Sequence, residues 1–368
     1  MTTVAVLGGG QLARMLALAA ASLDVRLRCL DPAPDAPAAV AAHTLRGSLD
    51  EPQALDALLE GASVATYEIE HVPLATAERV AARLPLRPGV ESLRVCADRA
   101  HEKTFVNDLG GETAPWAPVS DEDSLRTAVE RVGTPAILKT RTHGFDGRGQ
   151  VAVDHPEQAL AAWERLERRP AVLEGRVRFT RELALLAVRA LDGETRIYPV
   201  VETRHRDGIL VSAVAPAPGL PDATRAQAES LARRVLEGLG HVGVLAMECF
   251  EVDGRIVVNE LAPRVHNSGH WTIEGAITSQ FENHVRAILG LPLGETAARG
   301  PSAIVNLIGH LPDTRALLAL PDVHVHLYAK APRKARKLGH VTVLARTHDE
   351  LHERVRTVEG IVAAGGPA

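Results

Sequence analysis

Short apolar runs alternate with amphipathic stretches through the first quarter of the chain. Val4–Leu7 and Val25–Leu30 have the length and continuous hydrophobicity of fully buried strands, and Gln11–Ala21 between them has helical spacing. Val64–Tyr67 and Leu86–Pro88 continue the series as further strands. Alternation of short buried strands with helices is typical of α/β domains, so the pattern predicts a doubly wound parallel sheet here.

The pattern changes after Cys96. A predicted helix, Ala97–Leu109, precedes the apolar strand Pro135–Lys139, which runs into the glycine-rich loop Thr140–Gln150. A further short strand is predicted over Ala171–Glu174. Helices and strands mixed in this way predict a compact α+β lobe.

Longer strands follow. Glu182–Leu191 and Glu194–Val201 flank one Asp-Gly pair, and Gly243–Glu260 contains another at Asp253-Gly254. Asp-Gly between apolar strands is a strong hairpin signal, so this part is predicted to be antiparallel. The predicted divisions are an N-terminal domain at 1–96, a central domain at 97–292 (lid lobe about 115–178, antiparallel lobe about 179–292) and a small β-containing C-terminal domain at 293–368.

Composition and charge narrow the class of protein. The chain has 368 residues, of which 46% are hydrophobic and 24% charged, and its net charge is -5. No basic block alternates with aromatic residues, which argues against nucleic acid as a partner. Three separated cysteines fit a reducing compartment, and the apolar run Leu12–Leu23 is too short to span a membrane. With no signal-peptide pattern at the N-terminus, we expect a cytoplasmic protein.

The first glycine cluster, Gly8–Ala13, matches G-x-G-x-x-A between a strand and a helix, and Asp31 ends the next strand. This pattern is compatible with a nicotinamide dinucleotide whose ribose meets Asp31. It is also compatible with another phosphate ligand at the helix N-terminus, or with a packing turn in which Asp31 caps the chain before Pro32.

Lys139 and the loop that follows it form a second candidate. A lysine at the end of an apolar strand, before a loop with three glycines, suits the phosphates of a nucleotide. His143, Asp146 and Arg148 add polar side chains to the loop. The sequence contains no G-x-x-x-x-G-K-[ST] motif, and a solvated hairpin tip is the alternative interpretation.

Two glutamates on the last hairpin are candidate metal ligands. If the turn has three residues, Val252–Gly254, then Glu248 faces position 258 and Glu260 lies one pleat further along the same face. A two-residue Asp-Gly turn would place the two carboxylates on opposite faces. With Asn259 nearby, a shared face suits Mg²⁺; separate salt bridges are the alternative.

The segment Asn259–Thr272 concentrates polar side chains directly after this strand. His266 and His270 stand four apart, the spacing of a zinc helix, but Pro263 and Gly269 favour a loop. We therefore interpret the segment as a substrate-binding loop. Arg264 is expected to supply positive charge to the substrate, and Asn267 and Ser268 are expected to supply hydrogen bonds.

A late basic segment, Tyr328–His340, contains Lys330, Arg333, Lys334, Arg336 and Lys337. Such a run is usually a solvated face. It would contribute to a site only if it folds back onto the main cavity, where its cations could bind a phosphate.

Taken in order, these motifs resemble the ATP-grasp superfamily, and within it the 5-(carboxyamino)imidazole ribonucleotide synthase family of purine biosynthesis. The segments that carry the resemblance extend from residue 8 to about 340: "GGGQLARML", "ADRAHEKTF", "TAPW", "KTRTHGFDGRGQ", "GHVGVLAMECF", "NELAPRVHNSGHWT" and "NLIG". The resemblance implies a ligase that uses ATP, Mg²⁺ and bicarbonate to carboxylate the amine of 5-aminoimidazole ribonucleotide through carboxyphosphate. It also implies a homodimer.

The resemblance implies roles for individual residues. ATP would be bound by Arg99, Lys139, Gly144, Phe145, Asp146, Gly147, Arg148, Gly149, Gln150, Glu174, Gly175, Arg176, Val177, Glu182, His205, Asn259 and Glu260. Mg²⁺ would be bound by Glu248 and Glu260. The intermediate and the imidazole would be bound by Asp146, Arg148, Arg264, His266, Asn267 and Ser268. The ribonucleotide phosphate would meet Gly8, Gly10, Gln11, Lys330, Arg336 and Lys337.

Three positions depart from the family pattern, because Phe145 replaces a tyrosine and His143 and Ala13 replace glycines. None of them removes a charge that phosphoryl transfer requires. Three other functions remain open on the sequence: a formate-dependent ribonucleotide transformylase, a nicotinamide-dependent oxidoreductase, and an inactive ATP-binding regulator.

Overall fold

A computed structural model describes residues 2–142, 144 and 149–365 of the chain. Four predicted site residues of the glycine-rich loop lie outside the described residues, as does His143; they are Phe145, Asp146, Gly147 and Arg148.

The N-terminal region is a parallel four-stranded sheet, as predicted, with strand order β3-β2-β1-β4. Its elements are β1 (Thr2–Leu7), α1 (Gln11–Ala21), β2 (Val25–Asp31), β3 (His43–Arg46), α2 (Pro52–Leu59), β4 (Val64–Tyr67), α3 (Leu74–Ala81) and α4 (Val90–Cys96). The strand predicted over Leu86–Pro88 is reduced to one parallel bridge between Leu86 and Ala65. Pro85 and Pro88 flank that bridge, and proline cannot donate a further ladder hydrogen bond.

The helix predicted over Ala97–Leu109 begins two residues later than expected. Asp98 is extended and accepts hydrogen bonds from the backbone N–H groups of Ala100 (2.9 Å) and His101 (3.4 Å). It therefore caps α5 (Arg99–Asp108) and separates that helix from α4. This cap places Arg99 in the first turn of a new helix.

The lid region contains an antiparallel four-stranded sheet, with order β6-β9-β7-β8. The elements from this part of the chain are β5 (Glu112–Thr113), β6 (Trp116–Val119), α6 (Glu122–Val132), β7 (Ala136–Thr140), β8 (Gln150–Val153), α7 (Ala159–Arg165) and β9 (Ala171–Gly175). Leu125 and Trp163 from the two helices pack with Leu138 and Leu173 of the sheet. Among the described residues, short 3₁₀ helices span Pro37–Val40, Pro156–Gln158 and Asn267–Gly269.

The remaining strands form one ten-stranded sheet. Its path is β17-β18-β16-β13-β12-β10-β14-β15-β5, with β11 paired to β10. The elements are β10 (Arg181–Arg189), β11 (Thr195–Ile197), β12 (Val201–Arg206), β13 (Ile209–Ala215), α8 (Asp222–Gly238), β14 (Gly243–Val252), β15 (Arg255–Ala262), α9 (Thr272–Gly275), α10 (Gln280–Leu289), β16 (Ser302–Ile308), α11 (Thr314–Leu318), β17 (Val323–Leu327), β18 (Lys337–Leu344) and α12 (His348–Ala364). Because β16 pairs with β13, the C-terminal strands continue the central sheet.

One predicted strand is interrupted. Glu194–Val201 is not continuous, since β11 ends at Ile197 and β12 begins at Val201. Pro199 lies between them and cannot contribute a ladder N–H. On one side β10 therefore pairs with β12 over 182–184 and with β11 over 187–189, and on the other side it pairs with β14 along its whole length.

Alternate residues of β10 enter two different cores. Leu183 and Leu185 pack against the α8 side of the sheet, whereas Leu186 faces the core that includes α1 and α10. This period of two is the spacing of a strand buried on both faces. It holds the N-terminal domain against the central sheet, so that the ends of β1, β4 and β15 meet. In the part of the chain that the structure describes, no helix is long and apolar enough to cross a membrane.

Candidate active site

The turn between β14 and β15 differs from the three-residue prediction. Val252 pairs with Arg255, so the turn contains only Asp253 and Gly254, both with positive φ (50° and 75°). This two-residue geometry alone would have placed Glu248 and Glu260 on opposite faces. A β-bulge before Cys249 changes the register, and Glu248 pairs directly with Glu260.

The bulge makes Asn259 the extra residue and restores the shared face. Directly opposed residues in an antiparallel pair have Cβ atoms about 5 Å apart, and like charges there repel. Burial, followed by the charge of Glu260, raises the pKa of Glu248 to about 7. The two carboxylates therefore hold negative charge that a cation would stabilise.

Two carboxylates are too few for a metal ion whose ligands all come from the protein, but they suit Mg²⁺. The described residues contain no cluster of three or more His, Cys, Asp or Glu side chains arranged for a metal ion. Mg²⁺ commonly uses one or two carboxylates and completes its shell with substrate phosphates and water. Glu248 and Glu260 fit that requirement.

A second buried cluster lies in the lid. The Lys139 Nζ donates to Glu174 Oε2 (2.9 Å), and Lys103 Nζ lies 3.3 Å from Glu174 Oε1. Burial raises the pKa of the Glu174 carboxyl, but the charges of Lys139 and Lys103 outweigh it and hold the value at about 2. Burial lowers the pKa of Lys139. Two lysines with one carboxylate leave a positive excess suited to phosphate.

Arg99 lies between the two clusters. Its guanidinium donates to Glu260 Oε2 (3.3 Å) and to the backbone oxygen of Gly144 (3.5 Å). Glu102, one turn of α5 further along, is 3% exposed and accepts the Leu261 N–H at 2.6 Å. Burial and the charge of Glu260 raise its pKa to about 8.

The predicted ribose residues are paired with each other. His205 Nδ1 lies 2.9 Å from Glu182 Oε2, and the His205 backbone N–H donates to the same oxygen at 3.2 Å. Burial lowers the pKa of His205, but the hydrogen bond that Glu182 accepts from it and the charge of Glu248 raise that pKa overall.

The predicted adenine segment begins at the end of β9, an inner strand of the lid sheet. Gly175 ends β9, and its N–H donates to Pro115 O (2.8 Å), while the Arg176 N–H donates to Pro135 O (3.0 Å). Val177 follows in a partly buried position. At the other end of the lid, Gly149 has φ +69° and accepts the Thr140 N–H, and Gln150 pairs with Lys139.

Arg264 is held by a partner that the sequence did not predict. Its Nε donates to Glu70 Oε2, and both side chains are mostly buried. Burial raises the pKa of Glu70, but the adjacent guanidinium lowers it to about 2. Both groups therefore stay charged at neutral pH.

The two histidines that suggested zinc point to different places. His266 Nε2 faces Glu248 Oε1 at 3.6 Å, whereas the His270 ring packs on Phe281 and His340. His266 Nδ1 accepts the Ser268 N–H (3.3 Å), so its proton lies on Nε2. Burial, followed by the charge of Arg264, lowers the pKa of His266 well below its ordinary value and keeps it neutral.

Asn267 and Ser268 have local partners. Asn267 and Asn306 form a reciprocal amide pair (3.1 and 2.6 Å), while Ser268 is fully buried with its Oγ 2.9 Å from His266 Nδ1. Ser268 therefore orients His266, whereas Asn267 still lines a cavity. Trp271, which follows in the same segment, is fully buried.

The N-terminal glycine turn does not present free amides as expected. Glu68 accepts the Gly10 N–H (2.8 Å) and the Ala13 N–H (3.3 Å), Asp31 accepts the Gly9 N–H (2.8 Å), and the Gly8 N–H donates to a backbone oxygen. Asp31 also accepts the Ala33 N–H, as a turn cap does. The dinucleotide interpretation thus loses both its anion site and its ribose ligand.

The basic segment does fold back onto the site. Lys330 donates to Gln11 Oε1, and an outer cavity of about 410 Å³ lies between that segment and Glu68. An inner cavity of about 40 Å³ is lined by Arg99, Glu102 and Gly144 among others. The residues that line both cavities are Glu70, His71, Glu260, Arg264 and His266. The cations of the basic segment that line the outer cavity are Lys330, Arg333, Arg336 and Lys337.

Several site residues were missed from the sequence. Glu68 and Glu70 directly follow β4, where the carboxyl ends of parallel strands collect ligands, and that position was the available signal. Lys103 and Glu102 sit on a helix of ordinary polarity and gave no such signal. Their role is visible only from their burial.

Sequence models of three domains match the chain: the ribonucleotide synthetase preATP-grasp domain at residues 1–97, the ATP-grasp domain at 104–281, and the phosphoribosylaminoimidazole carboxylase C-terminal domain at 302–354. The N5-carboxyaminoimidazole ribonucleotide synthase of Pseudomonas aeruginosa is 46% identical over 361 residues, which cover 98% of this chain and 99% of that protein. The chain belongs to the N5-carboxyaminoimidazole ribonucleotide synthase family.

Solved structures of this family agree in fold. The N5-carboxyaminoimidazole ribonucleotide synthetase of Thermus thermophilus superposes with a TM-score of 0.94 at 48% identity, covering 97% of this chain and 98% of that one. The N5-carboxyaminoimidazole synthase of Aspergillus clavatus, in complex with ADP and 5-aminoimidazole ribonucleotide, has a TM-score of 0.92 at 35% identity and 99% coverage of both chains. The predicted ATP-grasp fold is therefore confirmed.

Proposed function

We propose that the chain is an ATP-dependent carbon–nitrogen ligase that carboxylates the exocyclic amine of 5-aminoimidazole ribonucleotide, with bicarbonate as the carboxyl source. The observation that carries this proposal is the wall shared by the two cavities, formed by Glu260, Arg264 and His266. One face of the wall adjoins Arg99 and the carboxylate pair, and the other adjoins the basic segment. A nucleotide triphosphate and a phosphorylated acceptor would thus meet across it.

On the nucleotide side, Lys139 and Arg99 would bind the phosphates of ATP. Glu174 to Val177 would meet the adenine, and Glu182 with His205 would meet the ribose. Mg²⁺ held by Glu248 and Glu260 would neutralise charge on the β- and γ-phosphates. The reaction then depends mainly on positioning and charge, because phosphoryl transfer requires little covalent chemistry from the protein.

The reaction balances in two displacements. A bicarbonate oxygen attacks the γ-phosphorus, the bond to the bridging oxygen of ADP breaks, and carboxyphosphate forms. The amine nitrogen of the acceptor then attacks the carboxyl carbon, the carbon–oxygen bond to phosphate breaks, and the amine loses a proton. The products are N5-carboxyaminoimidazole ribonucleotide, ADP and phosphate.

On the acceptor side, Arg264 supplies a fixed positive charge for the carboxyl group, because Glu70 holds its guanidinium in place. Neutral His266 belongs to the same wall, and its Nε2 faces the Glu248 carboxylate. Lys330, Arg336 and Lys337 would bind the ribonucleotide phosphate beside Gln11. The glycine amides already donate to Glu68, Asp31 and a backbone oxygen, so these cations carry more of that role than the sequence predicted.

The alternatives have less support. An oxidoreductase lacks its expected ribose ligand, since Asp31 caps a turn. A transformylase would also use ATP, but family membership favours the carboxylating ligase. An inactive regulator is disfavoured by the intact Lys139, Glu248 and Glu260. The cytoplasmic location and the homodimer remain predictions.

One assay tests the function directly. ADP release is measured in the presence of Mg²⁺ with 5-aminoimidazole ribonucleotide and bicarbonate, each omitted in turn. We expect ADP and the carboxylated product to form in equal amounts only when both are present. ADP release that needs neither substrate would contradict the proposal, and release that depends on formate would favour the transformylase.

A further inference from the structure

Gln280, the first residue of α10, contacts the substrate-side loop through both ends of its side-chain amide. Its Oε1 accepts the His266 N–H (2.9 Å), and its Nε2 donates to the His266 backbone oxygen (2.7 Å). Nε2 also lies 3.3 Å from His270 Nδ1. Gln280 is fully buried and therefore cannot exchange these partners for water.

The neighbouring backbone leaves this amide little freedom. A Cβ at Gly269 would lie 2.8 Å from the Gln280 side-chain carbonyl carbon and 2.3 Å from Leu186. Thr272 Oγ1 accepts the Gln280 backbone N–H at 3.0 Å, which fixes the start of the helix against the loop. Both the residue and its rotamer are thus held by packing.

The two hydrogen bonds between the Gln280 amide and the backbone of His266, here called the Gln280 clamp, act on a residue that lines both cavities. Gln280 fixes the backbone of His266 at its N–H and its C=O, and Ser268 fixes the imidazole ring. The ring then directs Nε2 toward the Glu248 carboxylate, 3.6 Å away. A shift of about 1 Å in such a group can lower a rate by roughly 100-fold.

We infer that Gln280 is a positioning residue, which holds His266 at the junction of the two cavities and so couples ATP cleavage to carboxylation of the acceptor. This inference rests on the proposed function. It adds a residue that touches neither proposed substrate and acts only through the peptide of His266.

The same helix offers a matched control. Asn283 is also fully buried, and its amide clamps the Gly294 peptide: Nδ2 donates to Gly294 O (3.1 Å), and Oδ1 accepts the Gly294 N–H (2.8 Å). Nδ2 also donates to Tyr198 Oη at 2.8 Å. Asn283→Leu and Gln280→Met therefore remove comparable buried clamps, but only the second one reaches the site.

The test compares the unsubstituted protein, Gln280→Met, Gln280→Glu and Asn283→Leu. We expect Gln280→Met to lower kcat for carboxylation about 10- to 100-fold, to leave KM for ATP within about twofold, and to raise the ratio of ADP to carboxylated product above one. Gln280→Glu retains an acceptor for the His266 N–H and should lie between. Asn283→Leu should keep a ratio of one.

Hydrogen exchange gives a readout that does not need activity. Amides of residues 264–270 should exchange faster in Gln280→Met than in Asn283→Leu, measured on the full chain without ligands. Equal coupling ratios in the two variants, or unchanged exchange of this segment in Gln280→Met, would overturn the inference. Lack of acceptor-dependent turnover in the unsubstituted protein would instead contradict the proposed function, while the exchange result would still decide whether the clamp exists. If Gln280→Met does not fold, Gln280→Glu provides both measurements.

Discussion

The lid and the β14–β15 hairpin each hold a cluster of charge, and the two clusters differ in sign. In the lid, Lys103 and Lys139 share the single carboxylate of Glu174. On the hairpin, Glu248 and Glu260 oppose each other, and Arg99 approaches only one of them. Each cluster leaves charge uncompensated, which is costly for the buried lysines and less so for Glu260, whose side chain is 38% exposed. Together the two excesses complement a nucleotide triphosphate with its magnesium ion.

The largest expected effect comes from the negative cluster. Glu260→Gln should lower kcat at least about 10³-fold, because a carboxylate that holds the metal contributes several kcal/mol to the transition state. The measurement is ADP release as a function of Mg²⁺ concentration.

Glu251→Gln is the control for that change, because Glu251 lies on the same hairpin and pairs with Arg181 at 2.5 Å. It should retain turnover while losing a buried ion pair. Near-normal turnover in Glu260→Gln would remove its role as a metal ligand.

The two lysines of the positive cluster should contribute unequally to turnover. Lys139→Met should lower kcat/KM for ATP about 100-fold or more, as expected when a donor to transferring phosphates is lost. Lys103→Met should cost about 10-fold, because Lys103 acts through Glu174. Initial rates at varied ATP give both values, and equal losses would show that the two lysines are not distinct in function.

A pH series sharpens the contrast between charged clusters and buried neutral groups. Burial lowers the pKa of His241 to about 4 and that of His284 to about 3, against an ordinary value of 6.5. Between pH 6.5 and 4 the unfolded chain binds these protons and the folded chain does not. Stability is therefore complete above pH 6.5 and falls as the pH is lowered, by up to about 1.4 kcal/mol per pH unit for each histidine.

Urea unfolding at pH 7.5, 6.5 and 5.5 measures that slope. His284→Gln should make it shallower by up to about 1.4 kcal/mol per pH unit. The carboxylates Glu70 and Glu174 have pKa values near 2, so the stability that they contribute is complete above about pH 4.5 and is lost only below it. An unchanged slope in His284→Gln would mean that this ring is already charged in the folded chain.

The smallest effect tests the turn that supports the carboxylate pair. Gly254→Ala should destabilise the protein by about 1 kcal/mol, because Gly254 has φ +75° and an L-residue is strained there. Its Cβ would meet only Thr224 Oγ1 at 3.9 Å, so kinetics should not change. The same substitution at Gly360, within α12, should stabilise by roughly 0.5–1 kcal/mol. A loss of turnover in Gly254→Ala would show that the turn affects the site directly.

Periodicity was sufficient to predict the fold class, because strands buried on both faces and Asp-Gly turns leave strong local signals. The failures depend on single residues. Asp98 caps a helix and so delays its start, and Pro199 divides a strand. The bulge at Asn259 could not be predicted, because in the sequence a bulged asparagine looks the same as any other polar strand residue.

The site was predictable where charge stood next to a strand end, as at Lys139 and Glu260. It was not predictable where tertiary contacts reassign a side chain. Glu68 accepts the N–H of Gly10 although the two residues lie 58 positions apart, and Ser268 contacts the ring of His266 and not a substrate. Short polar side chains in a loop look alike in sequence, whether they face a substrate or a neighbour.

The bulge imposes a parity rule on this hairpin. A two-residue turn pairs residues separated by an even number of others, but eleven residues separate Glu248 from Glu260, and the surplus one is Asn259. A single insertion or deletion between the two glutamates would therefore keep both carboxylates on one face only if the bulge were lost at the same time. Changes in hairpin length should be tolerated when residues are added or removed in pairs, or when a one-residue change also removes the bulge, so the length of the segment constrains the site as well as the identity of its residues.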